Sequence, residues 1–278
     1  MSRPADGRDE SPGPPAAAWR PVRTVAAVLA GGTGSRFGAP RPKQLLEVAG
    51  RSVLAHSIAA FEATAEVDEI VVLMAPDFVD EARRIVTAAG FGKVSQVLAG
   101  GRTRNESTRR ALAALPSDDC AVLFHDAARP LVSPRIIRDC VRALATYPAV
   151  GVAVPSTDTV VAVDDAGLVA DVPARERLRR CQTPQGFRCG TIREAYRRAA
   201  ADAGFRTTDD CGVVRRYLPE VPIKMIEGAE ENIKITHPVD LRLAEELFRL
   251  ASGPPAERAQ PPAGAAGPPA CGPSPGPA

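Results

Sequence analysis

Aromatic side chains make up only 4% of the 278 residues, with one tryptophan and three tyrosines. The stacking platforms that bind single-stranded nucleic acid therefore have little to be built from. Net charge is slight as well: 35 Lys and Arg against 33 Asp and Glu leave +2, too weak a field to recruit nucleic acid or an anionic membrane. Arg177, Arg179 and Arg180, and the pairs Arg197-Arg198 and Arg215-Arg216, read as solvated helix faces. No apolar run reaches the roughly 18 to 20 residues that cross a bilayer. The N-terminal MSRPADGRDESPGPPAAAWR also lacks a hydrophobic signal core, so a cytoplasmic protein without a membrane partner is expected. The six cysteines (Cys120, Cys140, Cys181, Cys189, Cys211, Cys271) contain no CxxC pair and the three histidines lie far apart. Neither a zinc site nor a disulfide framework is expected from that spacing.

What remains is an ordinary globular composition, 45% hydrophobic and 24% charged. Residues 1–22 and 253–278 are rich in Pro, Gly and Ala and read as disordered tails around one domain, 23–252. Inside it, VAAVLA (25–30), EIVVLM (69–74), VSQVL (94–98), AVLFH (121–125) and VGVAV (150–154) have the length and content of buried strands. Between them, apolar residues recur at helical spacing: Leu54, Ile58 and Phe61; Ala82, Ile85 and Val86; Ala111, Leu112 and Leu115; Ile136, Ile137, Val141 and Leu144. Ser133-Pro134 starts the last of these as a cap followed by proline. Further on come a helix near Thr191–Ala201, a strand VPIKMIEG (221–228) and a closing helix over Pro238–Leu250. Alternating strand and helix imply an α/β fold, a mostly parallel twisted sheet flanked by helices. TVVAVDDAGLVAD (159–171) breaks the rhythm and reads as a β-hairpin arm protruding over about 157–175.

The first strand runs into Ala30-Gly31-Gly32-Thr33-Gly34-Ser35-Arg36-Phe37-Gly38, followed by Pro42-Lys43-Gln44. A glycine turn leaving a parallel strand presents backbone N–H groups to phosphates. The dinucleotide fingerprint fails because no glycine stands at position 37, and no GK[ST] follows, so the loop is not a Walker A. A tight turn alone accounts for the glycines but not for Arg36 and Lys43 beside them.

LAGGTGSRFG…PKQ resembles the loop of nucleotidyltransferases that activate sugar or polyol phosphates. In order along the chain, GGRTRNES (100–107), HDAARP (125–130), PSTDTV (155–160), PARERLRRCQTPQ (173–185), TDD (208–210) and NIKIT (232–236) resemble one family of cytidylyltransferases. That family contains 2-C-methyl-D-erythritol 4-phosphate cytidylyltransferase and ribitol-5-phosphate cytidylyltransferase. The resemblance implies a nucleotidyltransferase Rossmann-like fold and assigns residues to roles. Arg36, Lys43 and Lys234 would act on the CTP phosphates as the catalytic cations, and Ala30, Gly31, Gly32 and Gly34 would supply loop contacts. Gly100, Arg104 and Ser107 would meet cytosine and ribose, while Asp126, Thr159 and Arg175 would grip the polyol phosphate. Mg2+ would bridge phosphate oxygens, its ligands largely phosphate and water, and a homodimer would form through the arm. Cys181 reads as a packed residue rather than a nucleophile, and His125 as a support for Asp126.

The chemistry this resemblance implies suits those residue types. A phosphate monoester is already largely dianionic near neutral pH, so it attacks without a general base. What the reaction requires is cationic stabilisation as pyrophosphate leaves. For the acceptor, Ala-Gly-Gly at the loop and Arg-Asn-Glu-Ser after the second glycine pair resemble the ribitol branch. D-ribitol 5-phosphate converted to CDP-ribitol is thus the expected reaction, with 2-C-methyl-D-erythritol 4-phosphate of isoprenoid precursor synthesis as the alternative. A guanylyl- or uridylyltransferase and a non-catalytic nucleotide-binding module are more distant ones.

Overall fold

The computed structural model describes residues 19–32, 41–115 and 117–252. Residues 1–18 and 253–278 of the two expected tails lie outside this range, as do Gly34 and Arg36. Along the described chain come β1 (Thr24–Ala30), the short β2 (Glu47–Val48) and β3 (Arg51–Ser52), α1 (Val53–Glu62), β4 (Glu69–Met74) and α2 (Val79–Ala89). They are followed by β5 (Val94–Ala99), α3 (Arg104–Ala114), β6 (Ala121–Asp126), α4 (Pro134–Leu144) and β7 (Ala149–Pro155). The arm strands β8 (Ala162–Val163) and β9 (Val169–Asp171), then β10 (Arg179–Arg188), α5 (Cys189–Ala199), α6 (Asp210–Tyr217), β11 (Ile223–Glu227) and α7 (Pro238–Ser252) complete it.

Seven strands form one sheet in the order β11-β7-β10-β6-β1-β4-β5. Only β10 runs antiparallel to its neighbours. In the central β1 every residue is buried, because both faces of the strand are covered. Ala26, Val28 and Ala30 pack towards α1, α2 and α4, and Val25, Ala27 and Leu29 towards α3, α5 and α6. Each Val, Leu, Ile or Phe so buried contributes about 1.5–3 kcal/mol relative to exposure. From β1 the chain moves outward through β4 to β5, then returns to the other side of β1 as β6. That reversal opens a crevice at the carboxyl ends of β1 and β6, where open α/β sheets bind ligands.

The sequence-derived strands and the helices through α5 lie close to their expected positions, and the sheet is mostly parallel as expected. β10 and α6 were not anticipated. RRCQTPQGFR in β10 has no apolar alternation, and it is interrupted by a cis Thr183–Pro184 bond and a register shift between Gln182 and Gly186. The domain also begins before residue 23. Trp19 N–H donates to Ala145 O, and the Arg188 guanidinium lies 4.7 Å from the Trp19 ring.

Two expectations about cysteine are corrected. Cys120 and Cys189 form a disulfide with Cα atoms 5.5 Å apart, although 69 residues separate them. The sequence hides this pairing because it depends on β10 lying beside β6, which delivers the start of α5 to the start of β6. Cys181 is exposed on β10 rather than packed. Arg179 and Arg180 are solvated as expected, but on a strand.

The arm is as read: β8 and β9 pair antiparallel around a turn in which Asp164 Oδ1 accepts from Ala166 N and Leu168 N, and Gly167 takes φ +78°. Among the described residues no helix is long and apolar enough to cross a membrane.

The Ser133 cap is formed, with Oγ accepting from Ile136 N at 3.4 Å. Replacing it by alanine should cost about 1 kcal/mol in urea denaturation while leaving turnover intact.

Candidate active site

The glycines of two loops let backbones approach at the crevice floor. A Cβ on Gly100 would lie 2.9 Å from Gly31 Cα, and one on Gly31 would lie 2.7 Å from Ser107 Oγ. The loop after β1 thus packs directly on the loop after β5. Ser107, expected to meet the nucleotide, joins this loop to α3 through its hydroxyl: it accepts from Gly101 N at 3.0 Å and donates to Thr103 O at 3.1 Å. Ala30 buries its side chain in the core, so only its backbone faces the loop. Gln44 Nε2 donates to Gly32 O at 3.3 Å. Lys43 begins the 3-10 turn Lys43–Leu45 and is half-buried.

At the end of β6 stands Asp126. Its Oδ1 accepts from Arg104 Nε at 3.1 Å and its Oδ2 from Lys234 Nζ at 2.7 Å. Burial acts to raise its pKa, but Arg104 and then Lys234 outweigh that and hold the carboxyl well below the usual carboxylate range. Asp126 is thereby held in its carboxylate form.

Arg104 occupies the first turn of α3, capped by Thr103 Oγ1 accepting from Glu106 N at 3.1 Å. A cation there opposes the helix dipole, and two carboxylates compensate. Besides Asp126, Asp210 Oδ2 accepts from Arg104 Nη1 at 2.6 Å. The Arg104 Nη2 atom is buried without a hydrogen-bond partner.

Lys234 is held by its neighbours in NIKIT. Asn232, fully buried, donates from Nδ2 to Thr183 O at 3.0 Å and Gln182 Oε1 at 3.2 Å. Ile235 N donates to Ala128 O at 2.8 Å while its side chain packs against Val48, Val53 and Ala244. Behind Asp126, its own N–H donates to Thr183 Oγ1 at 3.0 Å. The Thr183 hydroxyl in turn donates to His125 Nδ1 at 3.0 Å, and His125 Nε2–H donates to Arg129 O at 3.1 Å. Fully buried against the Phe61 ring at 5.0 Å, the imidazole is kept neutral by burial, its pKa brought down to about 4.

The structure therefore brings together Gly31, Gly100, Arg104, Ser107, Asp126 and Lys234 from five separate segments. Thr159 and Arg175 it places on the exposed arm, where Arg175 Nη1 donates to Thr157 O at 3.4 Å. Asp210, Tyr196, Thr183, Gln185 and Arg129 were missed as site residues, although TDD, TPQ and HDAARP had drawn attention to four of those positions. Tyr196 gave no signal, because a tyrosine on an amphipathic helix reads as core.

A cation pair closing on a buried carboxylate at the mouth of a parallel sheet, beside a glycine turn, suits a protein that binds a phosphorylated ligand. Comparison with known proteins narrows the class. A chain of Thermobifida fusca called 2-C-methyl-D-erythritol 4-phosphate cytidylyltransferase is 54% identical over 238 residues, covering 84% of this chain and 96% of that one. The bifunctional ribulose 5-phosphate reductase/CDP-ribitol pyrophosphorylase of Haemophilus influenzae is 38% identical over 233 residues, and the match spans 49% of its length. Among solved structures, the 4-diphosphocytidyl-2C-methyl-D-erythritol synthase of Anaerococcus prevotii superposes with a TM-score of 0.73 at 30% identity, covering 82% of this chain and 98% of that one. The profile of the 2-C-methyl-D-erythritol 4-phosphate cytidylyltransferase family matches residues 24–250, and the chain belongs to that family. It is a CTP-dependent cytidylyltransferase that acts on a polyol phosphate.

His125 makes stability depend on pH. The unfolded chain takes up a proton on His125 below about pH 6.5, the folded chain only near pH 4. Stability is therefore lost as pH falls through that window, by about 2 kcal/mol between neutrality and pH 5. Urea melts at the two pH values should show this slope, and His125→Gln should remove most of it. A slope that the substitution leaves intact would assign it to other groups, such as His56, whose pKa burial also lowers.

Proposed function

We propose that this chain transfers the cytidylyl group of CTP to 2-C-methyl-D-erythritol 4-phosphate in the cytoplasm, releasing pyrophosphate. The observation that carries this reading is the Arg104–Asp126–Lys234 cluster at the crevice, in a chain 54% identical to a relative that bears the methylerythritol name. Ribitol 5-phosphate, the acceptor expected from the loop sequence, has the weaker support, since the ribitol-linked relative is 38% identical.

In this reading the acceptor phosphate oxygen attacks the α-phosphorus, an O–P bond forms, and the bond from that phosphorus to the β-bridging oxygen breaks. Lys43 and Lys234, with Arg36 of the glycine loop, offset the charge of the triphosphate and of departing pyrophosphate. Gly31 and Gly32 offer loop backbone, and Gly100 and Arg104 meet the nucleoside. Asp126, kept ionised, has lone pairs left to accept a hydroxyl of the acceptor.

Magnesium belongs with the substrate. The described residues contain no cluster of three or more His, Cys, Asp or Glu that would hold a metal. The ion would enter on CTP, its oxygens coming from phosphate and water.

Thr159 and Arg175 complete the acceptor site in this reading by crossing to a second copy of the chain. Val160, Val161, Val163, Leu168, Val169 and Val172 are all at least 45% exposed on the arm, an apolar surface suited to burial in a homodimer. Light scattering should give a dimer; a monomer at assay concentration would reject the shared site.

Pyrophosphate release with CTP should be faster with 2-C-methyl-D-erythritol 4-phosphate than with ribitol 5-phosphate, and the reverse order would restore the ribitol assignment. A preference for GTP or UTP would point to a different nucleotidyltransferase, and CTP binding without turnover to a binding module. Lys43→Ala should lower kcat/KM by about 100-fold, near 3 kcal/mol, without loss of the fold.

A further inference from the structure

Two carboxylates grip Arg104, and only Asp126 has a place in the substrate site as read above. The other, Asp210, is fully buried and reaches Arg104 from the first turn of α6. Its seclusion keeps both oxygens from a ligand: Oδ2 accepts from Arg104 Nη1 at 2.6 Å, and Oδ1 accepts from Tyr196 Oη–H at 2.7 Å. Its backbone N–H is tied to Gln185 Oε1 at 2.9 Å, and Asp209 caps the same helix by accepting from Gly212 N at 2.9 Å. Burial and the adjoining Asp210 raise the Tyr196 pKa, so the phenol remains a donor.

A buried carboxylate costs several kcal/mol unless its charge and lone pairs are met. Here they are met by Tyr196 and by Arg104, whose remaining nitrogen, Nη2, is buried and unpartnered. Asp126 alone cannot fix that guanidinium, because it also holds Lys234. We infer that Asp210, braced by Tyr196, is a positioning residue that orients Arg104 so that Nη2 is presented to an acceptor atom of the bound nucleotide. Without Asp210, Arg104 turns its fork onto Asp126 and competes there with Lys234. The inference rests on the proposed role of Arg104 in nucleotide binding.

A double-mutant cycle tests it, with Asp210→Asn, Arg104→Ala and the pair compared by KM for CTP, KM for the acceptor, kcat and thermal melting. Asp210→Asn should raise the KM for CTP by about tenfold, the range for losing a charged hydrogen-bond partner, with less effect on the acceptor KM. In the Arg104→Ala background it should raise it no further. Tyr196→Phe should move the same constant in the same direction by less, and it supplies the cycle if Asp210→Asn does not fold. Additive effects, or a folded Asp210→Asn protein with unchanged KM for CTP, would overturn the positioning role. An Arg104→Ala protein with unchanged KM for CTP would instead refute the assignment of Arg104 to the nucleotide.

Discussion

The buried carboxylate of Asp126, clasped by Arg104 and Lys234, is the interaction on which the rest of the site depends. Its partners come from the start of α3 and from the loop after β11, segments more than 100 residues apart. An ion pair this secluded gives little net stability, because desolvation consumes most of the Coulombic gain. Its value is geometric. One carboxylate with two charged donors fixes the spacing of both, and it fixes them at the crevice where the order of strands reverses.

The surrounding structure holds that carboxylate in place. Ser57 Oγ donates to Ala127 O at 2.9 Å, Ala127 N donates to Leu29 O at 3.0 Å, and Arg129 Nη1 donates to Asn232 O at 2.7 Å. The chain leaving β6 is thereby secured to α1, to β1 and to the segment carrying Lys234. Thr183 and the neutral His125 complete the support from below. Each is a polar group in the core with its hydrogen bonds met, and together they determine one arrangement rather than several.

How far this could be read from sequence depended on whether the information was local. Buried strands announced themselves as short apolar runs, because a strand covered on both faces admits little else. Helices showed through Leu54, Ile58 and Phe61 and the spacings like it, and the Ser133-Pro134 cap was legible for the same reason. Asp126 and Lys234 were found through resemblance, not pattern; nothing local to either says that they touch. The Asp210 contact with Arg104 and its bond from Tyr196 stayed hidden because three separate segments meet only in the fold, and the Cys120–Cys189 pair because it depends on the one strand of the main sheet that breaks the parallel rule. Ser107 shows a different limit: the sequence did not reveal that its hydroxyl also ties the loop after β5 to the start of α3.

A carboxylate among the cations looks at first like a liability in a site that must attract phosphate, since it cancels positive charge. The balance favours it. Lysine and arginine side chains each lose up to about 2 kcal/mol of rotamer freedom when fixed. Cations waiting free in solvent would have to meet that cost as the substrate arrives. Asp126 and Asp210 meet it in folding, and they screen Arg104 from Lys234 while no other anion is near. Counting Arg104, Arg129 and Lys234 against Asp126 and Asp210, the cluster keeps one net positive charge. It is thus organised in advance yet still attractive to anions, the condition under which electrostatic stabilisation of a transition state is most effective.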